Sequence, residues 1–292
     1  MERMALSREY EIYEGPGPVK SSPFIRKLHD VVGQWEMVEE RGRAGFDKPS
    51  EDPPCLVFEW MDHVLWNVRS EPYRENSLLP KAIARSVLEA LNLFVSANAM
   101  HTIQLYQLLQ SLLAVLTTSD VNPNNIFLSN IDSAYPMVKL GDLGNLMRAG
   151  FNKYRIQPIG CRAPEVWRGL GCWPSSDIWS LGATLAHWLG HKTIFGIGDK
   201  GVEDLTEAWC IAKIDDWLAG WVRLSKSPNS RIDGPVPYID VGTLRQELES
   251  LPGPKVDPGL LDFIDSLLIV DHTQRPTAAE ALEHPYLRVT EN

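Results

Sequence analysis

The chain has 292 residues, of which 44% are hydrophobic and 23% are charged, and its formal net charge is −10. This composition excludes a disordered or fibrous protein and is enough for one large domain or two small lobes with a hydrophobic core. The acidic balance argues against direct binding to nucleic acid and is compatible with basic protein partners.

The cysteines and the apolar segments indicate the cellular compartment of the protein. The four cysteines are scattered without a CxxC pair, which predicts reduced thiols and neither a zinc site nor a disulfide framework. No apolar signal sequence follows Met1, and the most apolar stretch, Ile103–Leu116, is too short for a membrane span and contains three glutamines. We therefore expect an intracellular protein, in the cytoplasm, the nucleus or both, without a membrane segment. The sequence carries no signal for an oligomeric state.

Strand signals lie within the first 60 residues. Met4–Glu14 predicts a short helix that ends at Pro16, and Phe24–Val32 and Cys55–Trp60 are runs of strand type. Between these runs, Gly33–Pro54 is charged and rich in Pro and Gly, which predicts an exposed loop that serves as a partner site or is only an insertion. The first 60 residues are therefore expected to hold a small sheet.

The rest of the chain is predominantly helical in pattern. Apolar residues at helical spacing predict one amphipathic helix from about Lys81 and another after Asp177. Asp257-Pro258 predicts an N-cap followed by a first helical turn. Thr277 with Glu280 predicts the capping box of a last short helix. The expected fold class is α+β, with a small strand-bearing N-terminal part and a larger helical C-terminal part.

Four short motifs occur in a fixed order, and each alone arises by chance in many chains. They are Asp120-x-x-Pro-x-Asn125, Asp142-Leu-Gly, Ala163-Pro-Glu165 and Asp177-x-Trp-Ser-x-Gly182. In this order and at these intervals they resemble the signature set of eukaryotic protein kinases. The segments SSPFIRKLHDVV and LVFEWM and the QRPTA motif extend the resemblance from about Glu9 to Pro285. It implies a two-lobed fold. Residues 1–60 would form an incomplete N-lobe, which runs from the helix that carries Glu9 to the strand that ends at the hinge, and residues 61–288 would form the C-lobe.

The resemblance also implies roles in phosphoryl transfer from ATP with Mg²⁺. That reaction requires neutralisation of the triphosphate charge and an oriented nucleophile. Asp120 would accept the proton of the substrate hydroxyl, and Asn125 and Asp142 would hold Mg²⁺ through oxygen ligands. Asn122 stands where most Ser/Thr kinases have a lysine that contacts the transferring phosphate.

Further matches concern the nucleotide base and the helix of the small lobe. Phe58 aligns with the gatekeeper, and the backbone groups of Glu59 and Met61, at the hinge, would meet the adenine. Glu9, with Glu11 as the second choice, matches the glutamate that pairs with a strand lysine in the family. Only MERMALSR precedes Glu9, without lysine or glycine. We therefore interpret the chain as truncated before this helix.

The remaining matches are architectural, and one of them is interrupted. Glu165 and Arg275 resemble a buried ion pair of the family, and Asp177 resembles the aspartate that hydrogen-bonds the backbone of the catalytic loop. His101 matches the histidine that directly precedes the catalytic aspartate, but the 17 residues of Ile103–Ser119 intervene here. We interpret this segment as a translated intron that displaces the histidine from the catalytic base. The alternative is a natural insertion that loops out.

Two details resemble the kinases that phosphorylate Arg/Ser-rich splicing factors, namely His101-Thr102 and the DLGN sequence that begins at Asp142. The sequence thus predicts a protein Ser/Thr kinase that acts on protein substrates, with Arg/Ser-rich proteins as the expected class. A rival interpretation is an inactive pseudokinase that acts as a protein-binding module. A small-molecule kinase of similar fold fits the motifs less well.

Overall fold

The computed structural model describes residues 2–15, 18–33, 55–75, 78–100, 116–117, 120–195, 210 and 243–288. His101 lies outside these residues, as do residues 34–54 of the predicted loop and residues 103–115 and 118–119 of the predicted insertion.

The N-terminal part consists of one helix and a two-stranded sheet. Helix α1 spans Glu2–Glu14, and strands β1 (Leu28–Val32) and β2 (Cys55–Phe58) pair antiparallel, with Leu28 opposite Phe58. The expected strand at Phe24–Val32 is thus shorter than predicted. Before β1, Ile25 instead forms a parallel bridge to Leu140, because the chain there leaves the sheet and runs along the C-terminal part.

Two further sheets lie in the C-terminal part. Strands β3 (His63–Val64), β5 (Ile126–Ser129) and β6 (Met137–Leu140) form an antiparallel sheet with β5 in the centre. Strands β4 (Leu116–Thr117) and β7 (Met147–Arg148) form a separate antiparallel pair. Strand β5 alternates between buried and half-buried residues, as expected of a strand with one face on the core.

Helices make up most of the C-terminal part. They are α2 (Leu78–Met100), α3 (Pro164–Trp167), α4 (Pro174–Gly190), α5 (Leu244–Glu249), α6 (Pro258–Leu267) and α7 (Ala278–Leu282). Short 3₁₀ turns occur at Leu65–Asn67, Glu71–Tyr73, Leu143–Asn145, Ile159–Cys161 and Pro285–Leu287. No helix in the described part of the chain is long and apolar enough to cross a membrane.

The residues that the sequence predicts as helix starts and N-caps lie at or near the starts of helices in the structure. Helix α2 begins three residues before Lys81, and Asp177 lies in the first turn of α4 rather than before it. The carboxylate of Asp257 accepts the backbone N–H of Gly259 at 2.7 Å, which caps α6. Thr277 caps α7 within the predicted capping box.

Helix α4 lies at the centre of the core. Every residue from Ser176 to Leu189 is buried, which identifies a helix surrounded by other elements rather than one with a solvent face. It packs against α2 and α6, and at Gly182 the approach is so close that a Cβ atom would lie 2.9 Å from Leu268. A small sheet-bearing lobe and a mainly helical lobe together give the expected two-lobed α+β fold.

The small lobe is joined to the helical lobe next to Asp142. The backbone N–H of Arg26 donates to the carbonyl of Leu140 at 2.8 Å, and the N–H of Leu140 donates to the carbonyl of Phe24 at 2.9 Å. Helix α1 packs on the turn Leu143–Asn145. The candidate site therefore lies where the two lobes meet.

Candidate active site

The motif between Asp120 and Asn125 folds into a loop closed by its own polar side chains. The side-chain oxygen of Asn122 accepts the backbone N–H of Asn124 at 2.9 Å, a local turn typical of asparagine. The side-chain amide of Asn125 donates to the carbonyl of Asp120 at 3.0 Å. The Asp-x-x-Pro-x-Asn spacing therefore brings its first and last residues together directly before β5.

The carboxylate of Asp120 is held from two sides. The side-chain amide of Asn122 donates to Oδ1 at 2.7 Å, and that of Asn145 donates to Oδ2 at 2.8 Å. Burial raises the pKa of Asp120 and the nearby charge of Asp142 raises it further, although both amides act in the opposite direction. The group is therefore fixed in orientation and is a stronger proton acceptor than an exposed aspartate.

Asp142 is placed beside this loop by the backbone of β6. The N–H of Gly141 donates to the carbonyl of Asn125 at 2.9 Å. Asp142 itself has φ 53° and ψ 68°, a left-handed conformation that is uncommon for a residue with a side chain and typical of functional sites. Its exposed side chain and Asn125 are thus neighbours on adjacent chain segments.

These two residues offer the oxygen ligands that Mg²⁺ requires. The amide nitrogen of Asn125 is bonded to Asp120, which leaves its oxygen as the atom that can face a cation. Within the described residues, no three His, Cys, Asp or Glu side chains form a metal site. Because Mg²⁺ commonly uses one or two protein ligands together with phosphate oxygens, the donor set fits Mg²⁺ bound with a nucleotide rather than alone.

Glu9, rather than Glu11, faces the site from helix α1. Glu11 is exposed, whereas Glu9 is half-buried on the helix that packs against the turn Leu143–Asn145. Burial and the neighbouring charge of Asp142 raise the pKa of Glu9 to about 7. The guanidinium of Arg26 acts against this shift, so an arginine stands near the glutamate for which the family uses a lysine partner.

The predicted gatekeeper, Phe58, is the last residue of β2, and the predicted hinge residues Glu59 and Met61 follow it. The ring of Phe58 packs edge-on against that of Tyr13 with their centroids 5.1 Å apart. Met61 is buried, whereas Trp60, the residue directly before it, is 84% exposed. The side chain of Phe58 therefore points towards α1 and the site, while that of Trp60 points to solvent.

Glu59 is engaged by its side chain and by its backbone. Its carboxylate forms an ion pair with Lys139, with Nζ to oxygen distances of 2.7 and 2.8 Å. Its N–H donates to the carbonyl of Lys27 at 2.9 Å. Its own carbonyl, which we expected to face an adenine, accepts Nε of Arg26 at 3.1 Å. This contact was not foreseen from the sequence.

The Glu165–Arg275 pair lies in the interior. Two hydrogen bonds, of 2.9 and 3.1 Å, join the guanidinium to the carboxylate, and Ser176 donates a third at 2.6 Å. Burial alone would raise the pKa of Glu165, but the hydrogen bond and charge of Arg275 outweigh it and hold the pKa below its usual value. The pair ties α3 to the segment before α7, 110 residues further along the chain.

Asp177 accepts a hydrogen bond from a residue of the predicted insertion. The hydroxyl of Thr117, which is fully buried, lies 2.6 Å from Oδ2 of Asp177. Strand β4, which contains Thr117, pairs with β7 just beyond the Asp142 turn. Leu116 and Thr117 of the predicted insertion are thus built into the fold, through the pairing with β7 and the hydrogen bond to Asp177.

Sequence reasoning missed three positioning groups. Arg26 interrupts an apolar run, and this interruption was its only signal. Asn145 is the last residue of the DLGN sequence, which by itself indicates no contact with Asp120. Arg162 directly precedes the Ala-Pro-Glu motif. Its guanidinium donates to the carbonyl of Gln157 at 2.9 Å, and Gln157 has a φ angle of 69°. Only the folded chain brings these side chains to their partners.

Comparisons with known proteins identify the family of the chain. The profile of the protein kinase domain matches residues 21–287. The chain is 25% identical over 286 residues to the serine/threonine-protein kinase MAK of Mus musculus, covering 91% of this chain and 38% of the relative. It is 28% identical over 248 residues to mitogen-activated protein kinase 3 of Oryza sativa subsp. japonica, covering 80% and 56%.

A third relative is cyclin-dependent kinase 12 of Drosophila melanogaster, 25% identical over 283 residues, with 92% of this chain and 22% of the relative covered. The chain spans less than two thirds of the length of each of these relatives. The profile match covers most of the chain and includes the site motifs from Asp120 to Asp177, whereas Glu9 on helix α1 precedes the matched residues. The chain belongs to the protein kinase domain family, and the relatives that it matches include a serine/threonine-protein kinase.

Proposed function

We propose that this chain transfers the γ-phosphoryl group of ATP to a serine or threonine hydroxyl of a protein substrate. The observation that carries the proposal is the hydrogen-bonded unit of Asp120, Asn125 and the backbone of Gly141, which leads from β6 to Asp142. It combines a fixed proton acceptor with oxygen ligands for a cation, and these are the two components that phosphoryl transfer asks of the protein.

The role of each residue follows from its contacts. Asp120, held by Asn122 and Asn145, accepts the proton of the attacking hydroxyl and orients it towards the phosphoryl group. Asn125 and Asp142 hold Mg²⁺, which when bound with ATP supplies the positive charge that neutralises the triphosphate. Glu9 lies on helix α1, which packs against the turn Leu143–Asn145 directly after Asp142.

The substrate class that we propose is Arg/Ser-rich protein, with the enzyme inside the cell, in the cytoplasm, the nucleus or both. The support is the resemblance of His101-Thr102 and of the DLGN sequence at Asp142 to the kinases of such substrates. The net charge of −10 adds electrostatic attraction for arginine-rich segments. The four cysteines are scattered along the sequence without a CxxC pair, which is consistent with a reducing compartment.

The test is transfer of label from [γ-³²P]ATP in the presence of Mg²⁺ to an Arg/Ser-repeat peptide. The matched peptide has glutamine in place of each arginine. Asp120→Asn and Asp142→Asn serve as controls because each removes one proposed catalytic group with little change in size. We expect labelling of the Arg/Ser peptide, little labelling of the glutamine peptide and none with either variant. Equal labelling of both peptides would reject the substrate class.

The rival function is a pseudokinase that acts as a protein-binding module. Two observations favour it, namely the arginine on the hinge carbonyl of Glu59 and an asparagine, Asn122, in the place of a phosphate-binding lysine. No labelling of either peptide, or of a mixture of basic proteins, by the folded chain would support the pseudokinase and reject the transferase.

A further inference from the structure

The side chain of Arg26 lies between two aromatic rings in the cleft between the lobes. The centre of its guanidinium is 4.2 Å from the ring centroid of Phe127 and 5.3 Å from that of Phe58. These distances lie within the range of a cation–π interaction. Loss of solvent lowers the pKa of Arg26, while the nearby groups of Tyr13, Glu59 and Glu9 oppose this shift. The guanidinium is therefore partly desolvated and held on several sides.

The same side chain also donates a hydrogen bond to a backbone carbonyl of the predicted hinge. Nε of Arg26 donates to the carbonyl of Glu59 at 3.1 Å. A nucleobase bound at this hinge would bring a flat ring with an amino donor to the same carbonyl. A guanidinium is also flat, stacks on aromatic rings and carries N–H donors in its plane. Its contacts thus reproduce those that a base would make here.

The surroundings of Arg26 are packed on the side of the predicted metal ligands. A Cβ atom at Gly141 would lie 2.6 Å from Cε2 of Phe127 and 3.5 Å from Cβ of Arg26. The ring of Phe127 therefore rests directly on the backbone that leads to Asp142. Arg26 fills the space between this layer and the carbonyl of Glu59.

We propose that Arg26 occupies the nucleobase position of the nucleotide site, so that a nucleotide binds only by displacing its guanidinium. The inference rests on the proposed function for the location of the base site at Glu59 and Met61. It adds that one side chain sets the affinity of that site. The competitor is part of the chain itself, and the ligand that it excludes is a purine nucleotide.

The experiment measures the dissociation constant of Mg·ADP by calorimetry for the wild-type chain, Arg26→Val and Lys27→Val. Lys27 is the matched control because it loses the same charge from the adjacent position, where the side chain is exposed. We expect Arg26→Val to bind ADP at least about tenfold more tightly, because the wild type must first give up a cation–π contact and a charged hydrogen bond. Lys27→Val should bind ADP as the wild type does.

A wild-type affinity equal to or greater than that of Arg26→Val would overturn the inference, as would a failure of all three proteins to bind ADP. Weaker binding by Arg26→Val would identify Arg26 as a ligand of the nucleotide instead. If Arg26→Val does not fold, Arg26→Leu retains more of the packing against both rings. For that variant, ADP should raise the melting temperature more than it does for the wild type.

The same proteins separate this inference from the proposed function. Tighter ADP binding by Arg26→Val without any phosphoryl transfer retains the inference and rejects the transferase. Phosphoryl transfer by a wild type that binds ADP as tightly as Arg26→Val retains the transferase and rejects the inference.

Discussion

Asn122 holds the carboxylate of Asp120 from the position in which the resemblance leads one to expect a lysine. A lysine would contribute a cation to the transferring phosphate, whereas the amide contributes orientation to the base. Asn122 is in this sense a positioning residue that acts through Asp120. Its substitution should therefore affect the chemical step more than the binding of ATP.

We expect Asn122→Ala to lower kcat by about 100-fold with little change in KM for ATP, because small displacements of a reacting group have effects of this size. Steady-state kinetics with the Arg/Ser peptide measures both parameters. Asn124→Ala is the control, since the neighbouring side chain is exposed and only its backbone N–H enters the loop. An increase in KM at unchanged kcat would contradict the positioning role.

The Glu165–Arg275 pair sets a second residue-scale expectation, which concerns stability. Arg275→Met leaves a buried carboxylate without its main partner and should lower the free energy of unfolding by about 3–5 kcal/mol. Arg245→Met removes an exposed ion-pair cluster and should cost less than about 1 kcal/mol. Urea unfolding at pH 7 measures both values. Similar losses for the two variants would contradict the assignment.

The pH dependence of the same pair has a defined sign. The pKa of Glu165 is lower in the folded protein than in the unfolded chain. The stabilisation is therefore present at neutral pH and is lost as the pH falls below about 4.3 towards the folded pKa. The urea midpoint of the wild type should fall over this range more steeply than that of Glu165→Gln. Parallel curves would contradict the assignment.

At the scale of elements, strand β4 connects the predicted insertion to Asp177 through the side chain of Thr117. We expect Thr117→Val to destabilise the protein by about 1–3 kcal/mol, because it keeps the shape of the side chain and removes a buried hydrogen bond to Asp177. Thr273→Val is the control, since it removes a comparable hydroxyl–carboxylate bond, to Asp271, at an exposed position. Thermal unfolding compares the two. An unchanged melting temperature for Thr117→Val would show that β4 does not support Asp177.

Element boundaries were predictable where a local signal exists and not elsewhere. The caps at Asp257 and Thr277 each use one side chain that accepts a backbone N–H two or three residues further along the chain, and both act as predicted. Strand β4 has no local signal, because its two residues are a strand only through pairing with β7. The shortening of the strand that was expected from Phe24 has the same origin, since Ile25 bridges to Leu140 instead.

At the scale of the whole molecule, burial is concentrated in the helical lobe. Helix α4 is enclosed on all sides, whereas β1 and β2 form a two-stranded sheet in which Val32 and Val57 are exposed. A two-stranded sheet is marginal without additional packing. The small lobe therefore depends on the bridge between Ile25 and Leu140 and on the contact of α1 with the turn Leu143–Asn145.

We expect hydrogen exchange to follow this gradient. Amides of β1 and β2 should exchange through local opening, and those of Ile178–Leu189 only through global unfolding. Mass spectrometry of peptides after deuterium labelling measures both, with the urea dependence of exchange separating local from global opening. Equal protection of β1 and α4 would indicate a single cooperative unit.

The sequence alone determined the family, the order of the site motifs and the caps of the last helices, because each depends on residue types at short, fixed spacing. Tertiary structure decided which side chains meet across long separations. It brings Arg26 to Glu59, Thr117 to Asp177 and Asn145 to Asp120. Such contacts depend on the packing of separate elements, which no local pattern encodes. They decide how open the proposed nucleotide site is and how firmly the carboxylate of Asp120, the proposed catalytic base, is held.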